Sequence, residues 1–480
     1  MIRMDTQVLI IGAGPTGLAL AADLTRRGVG HRIVDRAAGP FTGSRAKGVQ
    51  PRTLEVLDDL GVVDRVLAAG TTTLPARWVD GDRARVVDLN EGRHPTPNTP
   101  YARTLVIPQF ATEAALRSLV PHVEYGAEVT GLTQDEHGVT AVVDGREITA
   151  AYAVACDGGR SPVRKRLGVG FAGETLEDHR IVVADVVVDG LDRDHWHMWR
   201  SDPASMLALC PLPGTDLFQL QANLAPDREG APTEAELREL VTTRTGRPEL
   251  VLREVAWTSL FRLNVRMVDR YRVGRVFLAG DAAHVHSPSG AQGMNTGVQD
   301  ACNLGWKLGS ALSGALSTEA AEALLDSYEG ERLPIAAWLL GVTTEAHRRM
   351  AAEMKIGKRD DELLQLGLGY REGPLAEPSG LDGVQPGDRA PDAPCALADG
   401  TRTRVFDLLR GPGFTLLGLG VEPPAHDGVR AHRIEDPDGH VAAGYGLPDG
   451  ALALVRPDGY VGAVSHDPEV ISGYLKRVLG

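Results

Sequence analysis

The segment Gln7–Asp35 reads QVLIIGAGPTGLALAADLTRRGVGHRIVD. Its apolar run Gln7–Ile11 predicts a buried parallel strand, and the Ala- and Leu-rich run Leu18–Arg27, which a glycine follows, predicts a helix. His31–Val34 predicts a second strand, which ends at Asp35. This order of elements is a βαβ unit, typical of a Rossmann-like α/β fold.

The glycines of this segment lie where the first strand turns into the helix. Gly12 allows the tight turn, Gly14 lets a pyrophosphate approach the backbone, and Gly17 allows close contact between helix and strand. The helix N-terminus adds unpaired N–H groups and a positive dipole end. A carboxylate at Asp35 can accept hydrogen bonds from an adenosine ribose. Together these features predict a dinucleotide site, for NAD or FAD.

A second glycine-rich stretch, Gly274–Asp300, reads GRVFLAGDAAHVHSPSGAQGMNTGVQD. Its buried-strand pattern Val276–Ala279 is followed by Asp281, which is placed to bind a ribityl hydroxyl. A Pro/Gly turn then leads to a helix start at Gln292–Asn295, whose N–H donors could stabilise the negative charge of a reduced flavin. Two glycine-rich sites in one chain suggest one long cofactor held at both ends, which favours FAD.

Three regions are predicted. Short alternating stretches such as Arg180–Val188, bounded by Gly and Pro turns, indicate an antiparallel sheet inserted into the cofactor domain. A Gly/Pro-rich break at Glu372–Pro394 precedes a further unit with its own strands and helices. The predicted domains are a discontinuous FAD-binding domain (1–70, 101–169 and 266–380), a substrate domain (71–100 and 170–265) and a C-terminal domain (386–480).

Composition excludes several classes. The 480 residues carry 50 Lys and Arg against 64 Asp and Glu, a net charge of −14, which argues against nucleic-acid or anionic-membrane partners. The four cysteines form no CxxC, so free thiols in a reducing cytoplasm are expected. No signal peptide or membrane span is predicted. His284 and His286 are interpreted as packing or hydrogen-bonding residues, and no metal is expected, because no further ligand cluster accompanies them.

Three motifs carry a family resemblance. GAGPTG, CDGGRSPVRK and GRVFLAGDAAHVHSPSGAQGMNTGVQDACNLGWKL resemble those of the FAD-dependent aromatic hydroxylases, single-component flavoprotein monooxygenases with the para-hydroxybenzoate hydroxylase fold. The branch of phenol hydroxylases and aromatic polyketide hydroxylases of antibiotic pathways is the most similar. RAPDAPCALADG, FTLLGLG and ALALVRPDGYVGAV are similar to the thioredoxin-like C-terminal domain of that branch. Cys395 has no CxxC partner, which favours a structural or dimer-contact role over redox exchange.

The resemblance implies a set of cofactor-binding positions. Two residues depart from the family pattern: Asp35 stands where Glu is usual, and Ala291 stands in a pair that is usually Gly-Gly, so the loop beside the flavin is expected to be stiffer. The implied positions are Gly12, Gly14, Gly17 and Asp35 at the adenosine and pyrophosphate; Val129 beside the adenine; Gln109 and Asp281 at the ribityl chain; Arg45 near the mobile flavin; Pro288, Gly293, Met294 and Asn295 along the isoalloxazine ring; and Asp157 and Arg164 in the motif used for both FAD and NADPH.

The resemblance also implies the reaction. NADPH reduces FAD, O2 adds at flavin C4a, and the resulting C4a-hydroperoxide delivers one oxygen atom to an electron-rich aromatic ring inside a dry pocket. The expected partners are a small aromatic substrate, preferably a polycyclic polyketide, with O2 and NADPH, and the chain is expected to be a monomer or homodimer. No catalytic residue is assigned. Candidate lining residues, for which core packing is an equal explanation, are Trp196, Trp199, Met206, Phe218 and Leu220.

Other functions stay open at this point. Baeyer–Villiger oxygenation of a ketone would use the same cofactor, and the sequence does not separate it from hydroxylation. A non-catalytic FAD-binding protein is a further alternative, although the complete flavin-side loop speaks against it. A disulfide reductase would need a CxxxxC pair and a second dinucleotide fingerprint, and a flavin halogenase would need a WxWxIP segment; none of these is present.

Overall fold

The computed structural model describes residues 4–81, 83–200, 205–287, 290–353 and 361–480. The strands are β1 (Thr6–Ile11), β2 (His31–Asp35), β3 (Gly48–Val49), β4 (Ala76–Asp80), β5 (Arg83–Val87), β6 (Leu105–Val106), β7 (Glu124–Tyr125), β8 (Val129–Gln134), β9 (Val139–Val143), β10 (Arg146–Ala155), β11 (Ala172–Asp189), β12 (Trp196–Trp199), β13 (Leu207–Pro211), β14 (Phe218–Leu224), β15 (Val251–Met267), β16 (Arg272–Val273), β17 (Val276–Leu278), β18 (His284–Val285), β19 (Pro394–Leu397), β20 (Arg402–Arg404), β21 (Phe414–Leu419), β22 (Val429–Glu435), β23 (Leu452–Val455) and β24 (Val461–Ser465).

Helices join these strands and cover the sheets. They are α1 (Pro15–Arg26), α2 (Pro51–Asp59), α3 (Val63–Ala68), α4 (Gln109–Arg117), α5 (Pro162–Arg166), α6 (Glu234–Thr245), α7 (Gly293–Leu312), α8 (Thr318–Glu353), α9 (Asp361–Leu364), α10 (Val405–Leu409), α11 (His440–Tyr445) and α12 (Pro468–Leu479), with a 3-10 turn at Gly280–Ala282.

The first sheet is the Rossmann-like core. Its main order is β16-β17-β10-β1-β2-β7, and β1, β2, β10 and β17 pair in parallel. Parallel neighbours end at the same edge of a sheet, so the turns that follow β1, β10 and β17 lie side by side. Two backbone hydrogen bonds join these turns: Cys156 N donates to Ile11 O at 2.7 Å, and Ala279 N donates to Ala155 O at 3.0 Å. The predicted βαβ unit is confirmed.

Helices α1 and α7 pack closely because α7 carries glycines on the contacting side. A Cβ at Gly297 of α7 would overlap Thr16, and a Cβ at Gly280, in the 3-10 turn after β17, would lie 2.5 Å from the Thr16 hydroxyl. Farther along α7, a Cβ at Gly305 would overlap Asp23. Larger residues at these positions would push the two helices apart. The glycines therefore hold the start of α7 beside the glycine loop of β1.

The second sheet is largely antiparallel, in the order β18-β15-β11-β14-β13-β12-β4-β5. Successive residues of a strand face opposite sides. Phe218, Leu220 and Trp199 therefore pack with Leu237 of α6, away from the cofactor domain. For these three candidate lining residues, the structure therefore favours the alternative explanation, core packing. The alternate residues, including Gln219, face the first domain.

Trp196 and Met206, the other wall candidates, pack in a separate small cluster with Ala76, Met198 and Ala208. This cluster lies on the face of the sheet opposite α6. Successive side chains of a strand alternate between its two faces. Trp196 and Met206 lie on the face that can meet the cofactor domain.

The third sheet belongs to the C-terminal domain, in the order β20-β19-β22-β21-β23-β24. Its core contains the single buried Cys395, as expected for a thioredoxin-like domain without a redox pair. The side of the sheet that carries Phe414 and Leu416 packs on Trp306 of α7 and Leu324 of α8. The C-terminal domain thus shares apolar packing with the cofactor domain.

The helix start predicted at Gln292–Asn295 is confirmed, because α7 begins at Gly293. The long helix α8 has no counterpart in the prediction; it contains Pro334 and has apolar residues on several sides. Within the described ranges, no helix has the length and apolar character needed to cross a bilayer.

Gly17→Ala is expected to destabilise the protein without any cofactor present. Its Cβ would fall against the Gly12 carbonyl oxygen, which is backbone and cannot yield easily. We expect the free energy of unfolding of the apoprotein to fall by about 1–3 kcal/mol or more. Gly14→Ala is the control, because no atom lies within 4 Å of the added Cβ; its cost should stay below about 1 kcal/mol. Equal losses in urea unfolding of the two variants would contradict this explanation.

Candidate FAD site

The glycine loop forms an open cradle at the start of α1. Gly12 has a φ of 107° and lies so close to the Cys156 carbonyl that a side chain would overlap it. Gly14, by contrast, borders open space, and no side chain caps α1. A helix start without a side-chain cap, with room in front of its backbone, suits a phosphate group. The residues present therefore fit the pyrophosphate of FAD.

Asp35 lies at the end of β2, beside this loop. One carboxylate oxygen accepts a hydrogen bond from Ala13 N at 2.7 Å, and the other accepts from Ala37 N at 2.8 Å. The backbone of Asp35 also accepts from Ala127 N at 2.9 Å, two residues before Val129. These hydrogen bonds bring together Asp35, the glycine loop and the segment that leads into β8. An adenosine site requires this arrangement.

Gln109 and Arg45 are joined through the loop before β3. The Gln109 side-chain oxygen accepts a hydrogen bond from Ala46 N at 2.9 Å, while its amide donates to Glu113 at 2.8 Å. This contact fixes the loop that carries Arg45, whose side chain is exposed and lies 5.5 Å from the Phe41 ring. Burial raises the pKa of Glu113 to about 7. Gln109 therefore holds the loop that carries Arg45, through its hydrogen bond with the backbone of Ala46.

Asp281 lies in the 3-10 turn after β17 and faces the start of α7. Its side chain is exposed to solvent, although the protein crowded around it partly desolvates the carboxyl group. This crowding raises the pKa of Asp281, while the charges of His284 and Arg45 oppose the rise. A Cβ built on Gly293 would lie 3.9 Å from its carboxylate. Asp281, Arg45 and the first residue of α7 therefore border one space.

Asn295 connects the start of α7 to the segment around β3. Its side-chain oxygen accepts from Gln50 N at 2.8 Å, and its amide donates to Gly48 O at 2.9 Å and to Ala291 O at 2.6 Å. The Asn295 side chain is fully buried, and Met294 is half-buried against the cofactor-domain core. These hydrogen bonds hold the helix start in place.

Two predictions fall on the turn before α7. Pro288 lies outside the described residues. Ala291 has a φ of 56°, a left-handed conformation that favours glycine. A Cβ on Gly48 would lie 2.8 Å from the Ala291 methyl, so the turn packs tightly on β3. The positive φ of Ala291 and its tight packing on β3 agree with the stiffer loop that the sequence predicts here.

Arg164 and Asp157 lie in the turn after β10. Arg164 is buried; it donates to Ala282 O at 2.9 Å and to Gly159 O at 2.8 Å, and its guanidinium lies 3.7 Å from the Phe171 ring centroid. It therefore ties the second motif to the Asp281 turn. Asp157 accepts from Val163 N at 3.2 Å, and its other oxygen has no hydrogen-bond partner within the described ranges. A role of either residue toward NADPH stays a prediction.

The second sheet contacts the segment Gly43–Gln50, which we call the 43–50 segment. The Gln219 amide donates to Ser44 O, and Lys47 donates to the Gln219 side-chain oxygen. The Lys47 ammonium also lies 4.5 Å from the Trp196 ring centroid. Burial raises the pKa of the neighbouring Asp185 to about 6. Sequence patterns gave no sign of this polar cluster, because its members come from distant parts of the chain.

Asp192, His195 and His197 form a group whose ligand atoms lie within 4.8 Å of one another. His195 and His197 both contact the Asp192 carboxylate, at 2.9 and 3.3 Å. Arg77 lies 3.5 Å from the same carboxylate, which disfavours a cation there. We interpret the group as a hydrogen-bonded turn before β12.

Comparison with known proteins identifies the chain. The model of an FAD binding domain matches residues 5–342, and the model of the aromatic-ring hydroxylase C-terminal domain matches residues 384–480. The chain belongs to the FAD-dependent aromatic hydroxylase family. As a member of this family it is a flavin-dependent monooxygenase that binds FAD, and its fold class agrees with the prediction.

Relatives of this hydroxylase-family chain match it over nearly its whole length. A flavin-dependent monooxygenase of Mycobacteroides abscessus is 43% identical, covering 98% of this chain and 100% of the relative. The 6-methylpretetramide 4-monooxygenase of Streptomyces rimosus is 35% identical, covering 95% and 90%. The structure of aklavinone-11 hydroxylase with FAD and aklavinone has a TM-score of 0.84 at 28% identity and covers 100% of both chains.

Asp281→Ala is expected to weaken FAD binding by at least about tenfold, because a charged hydrogen-bond acceptor is lost. The measurement is flavin absorbance relative to protein absorbance after gel filtration, followed by titration of the apoprotein with FAD. Asp269→Ala, an exposed aspartate of the same domain, is the control. Flavin content equal to that of the unmodified protein would remove Asp281 from the site.

Glu113→Gln is expected to change how stability depends on pH. The pKa of buried Glu113 is about 7 in the folded protein, against an ordinary 4.5, so the folded state binds the extra proton and loses stability as pH rises through 7. The variant cannot ionise there. Its stability relative to the unmodified apoprotein, measured by urea unfolding, should grow by up to about 1.4 kcal/mol per pH unit between pH 4.5 and 7 and level off above pH 7. A constant difference across this range would contradict the raised pKa.

Proposed function

We propose that this flavin-dependent monooxygenase uses NAD(P)H and O2 to hydroxylate an aromatic substrate, a polycyclic polyketide in preference to a simple phenol. The route of oxygen transfer that the sequence resemblance implies is part of this proposal. So are the cofactor positions, a cytoplasmic location and a monomeric or homodimeric state.

The observation that carries the proposal is the position of the 43–50 segment. Asn295 of α7 bonds its Gly48 and Gln50 from one side, and Gln219 of the second sheet bonds its Ser44 from the other. A flavin ring beside the start of α7 would therefore lie next to the wall formed by the second sheet. This arrangement supports a reaction between the ring edge and a substrate held on that wall.

Bound FAD would supply the acceptor for the electrons of NAD(P)H and the site at which O2 is activated. The chain's residues would bind and orient it: the glycine loop at the pyrophosphate, Asp281 at the ribityl chain, and the N–H groups at the start of α7 near the negative edge of the reduced ring. The buried wall would exclude water, which protects the activated oxygen from unproductive loss. No protein nucleophile is needed.

The substrate class is supported by the relatives. The names of the Streptomyces rimosus enzyme and of aklavinone-11 hydroxylase describe oxygenation of 6-methylpretetramide and of aklavinone, which are aromatic polyketide-type substrates, and both proteins cover nearly all of this chain. A wall that runs across eight strands also offers a surface for several fused rings. We therefore propose a polycyclic substrate in preference to a single-ring phenol.

The test is incubation of the FAD-loaded protein with NADPH, 18O2 and matched panels of polycyclic and monocyclic phenols, read by mass spectrometry and NMR. We expect one 18O atom on an aromatic carbon of a polycyclic substrate. A reaction without NADPH is the control. Insertion of oxygen beside a ketone would instead establish Baeyer–Villiger chemistry, and faster turnover of single-ring phenols would overturn the preferred substrate class.

A further inference from the structure

A buried network of ion pairs and hydrogen bonds links the C-terminal domain to the three segments proposed to border the flavin: the Asp281 turn, the start of α7 and the 43–50 segment. It begins at the turn between β23 and β24, Arg456–Tyr460, which we call the C-terminal turn. Arg456 and Asp458 of this turn are almost fully buried. Buried charges are costly unless they are paired, so their partners are held in defined positions.

The first branch of the network reaches the middle of α7 and α8. Arg456 makes a two-point contact with Glu331 of α8, at 2.6 and 2.9 Å. Glu331 also accepts from Lys307 of α7 at 2.7 Å. Asp458 accepts from the Trp306 indole at 3.1 Å and from Asn303 at 3.2 Å. The C-terminal turn therefore fixes the axial position of α7 relative to α8.

The second branch reaches the flavin side of α7. The ring of Tyr460 in the C-terminal turn packs against the ring of Tyr370, with centroids 4.4 Å apart and the ring planes tilted by 42°. The Tyr370 hydroxyl accepts from Arg332 Nη1 at 2.9 Å, and Arg332 Nε donates to Asp300 at 2.6 Å. Arg332 and Asp300 are wholly buried. This branch thus runs from the C-terminal domain into the interior of the cofactor domain.

The second branch ends on backbone groups of the proposed site. Asp300 accepts from Gly280 N at 3.0 Å and from His284 Nε2 at 2.9 Å, on either side of Asp281. Arg332 Nη2 donates to Thr296 O at 3.2 Å, in the first turn of α7. A movement of Arg332 would therefore reach both the Asp281 turn and the helix start.

A third contact reaches the 43–50 segment. Arg52, in the first turn of α2, donates to the backbone oxygen of Asp458 at 2.8 Å. Helix α2 begins directly after Gln50. Through these contacts, the C-terminal turn is connected to the start of α7, the Asp281 turn and the 43–50 segment, which meet at the flavin end of the site.

We propose that the C-terminal domain is a positioning element of the flavin site, and that Arg332 and Asp300 are the positioning residues through which it acts. This inference rests on the proposed placement of the flavin beside Asp281 and α7. Other contacts between the domains serve as a contrast: the Arg410–Asp58 ion pair, at 2.6 Å, ends on the far end of α2 and reaches none of these segments.

The experiment compares two matched pairs of full-length variants. Tyr370→Phe removes only the hydroxyl that Arg332 bonds; Tyr445→Phe removes an equally buried hydroxyl that has no hydrogen-bond partner in the described part of the chain. Arg456→Met breaks the contact with Glu331, and Arg410→Met breaks the unconnected contact between the domains. The readouts are the FAD dissociation constant of the apoprotein, the visible circular dichroism of bound flavin, and urea unfolding.

We expect FAD to bind about tenfold more weakly to Arg456→Met and several-fold more weakly to Tyr370→Phe, with an altered visible dichroism, while the controls stay within about twofold. Tyr370→Phe decides the outcome if Arg456→Met unfolds. Asp281→Ala is measured beside them. If Asp281→Ala weakens FAD binding and the network variants do not, this inference is overturned and the proposed site stands. If only the network variants weaken it, the coupling stands and the placement at Asp281 is overturned.

Discussion

The close approach of α1 to α7 is the constraint on which the site depends. Thr16, in the first turn of α1, lies against Gly280 and Gly297, where any side chain would overlap it. This contact sets the glycine loop and the start of α7 at one edge of the parallel sheet. Because both helix starts lack a side-chain cap, their N–H groups and dipoles are available to a single long anionic cofactor.

Around this contact the chain adds successive supports. Asn295 and Gln50 hold the start of α7 to the 43–50 segment, and Gln219 holds that segment to the second sheet. Behind α7, Arg332 and Asp300 hold the Asp281 turn from inside the core. The C-terminal domain packs against the outer side of α7. It therefore also supports this helix, although it is far from the glycine loop in sequence. Each of these contacts either joins segments more than 100 residues apart in sequence or involves a buried charged side chain. Local sequence patterns reveal neither feature.

The sequence predicted the features that depend on local constraints. The βαβ unit, the glycine loop and Asp35 follow from residue types at fixed spacing, and the fold class is confirmed. The helix start predicted at Gln292–Asn295 agrees with the first residue of α7, Gly293. For Phe218 and Leu220 the sequence left pocket lining and core packing open, because alternation alone does not tell which face of the second sheet meets the cofactor domain; the structure favours core packing. The Arg332–Asp300 pair was not predicted, because its partners meet only in the folded chain. The cofactor positions themselves stay predictions.

A crystal structure of the protein with FAD bound would show directly whether the flavin lies beside Asp281 and the start of α7. We expect the pyrophosphate against the Gly12–Gly17 loop, a ribityl hydroxyl within hydrogen-bond distance of Asp281, and the edge of the isoalloxazine ring against the first turn of α7. A ring held away from both Asp281 and Gly293–Asn295, with the 43–50 segment not in contact with it, would rule out this placement.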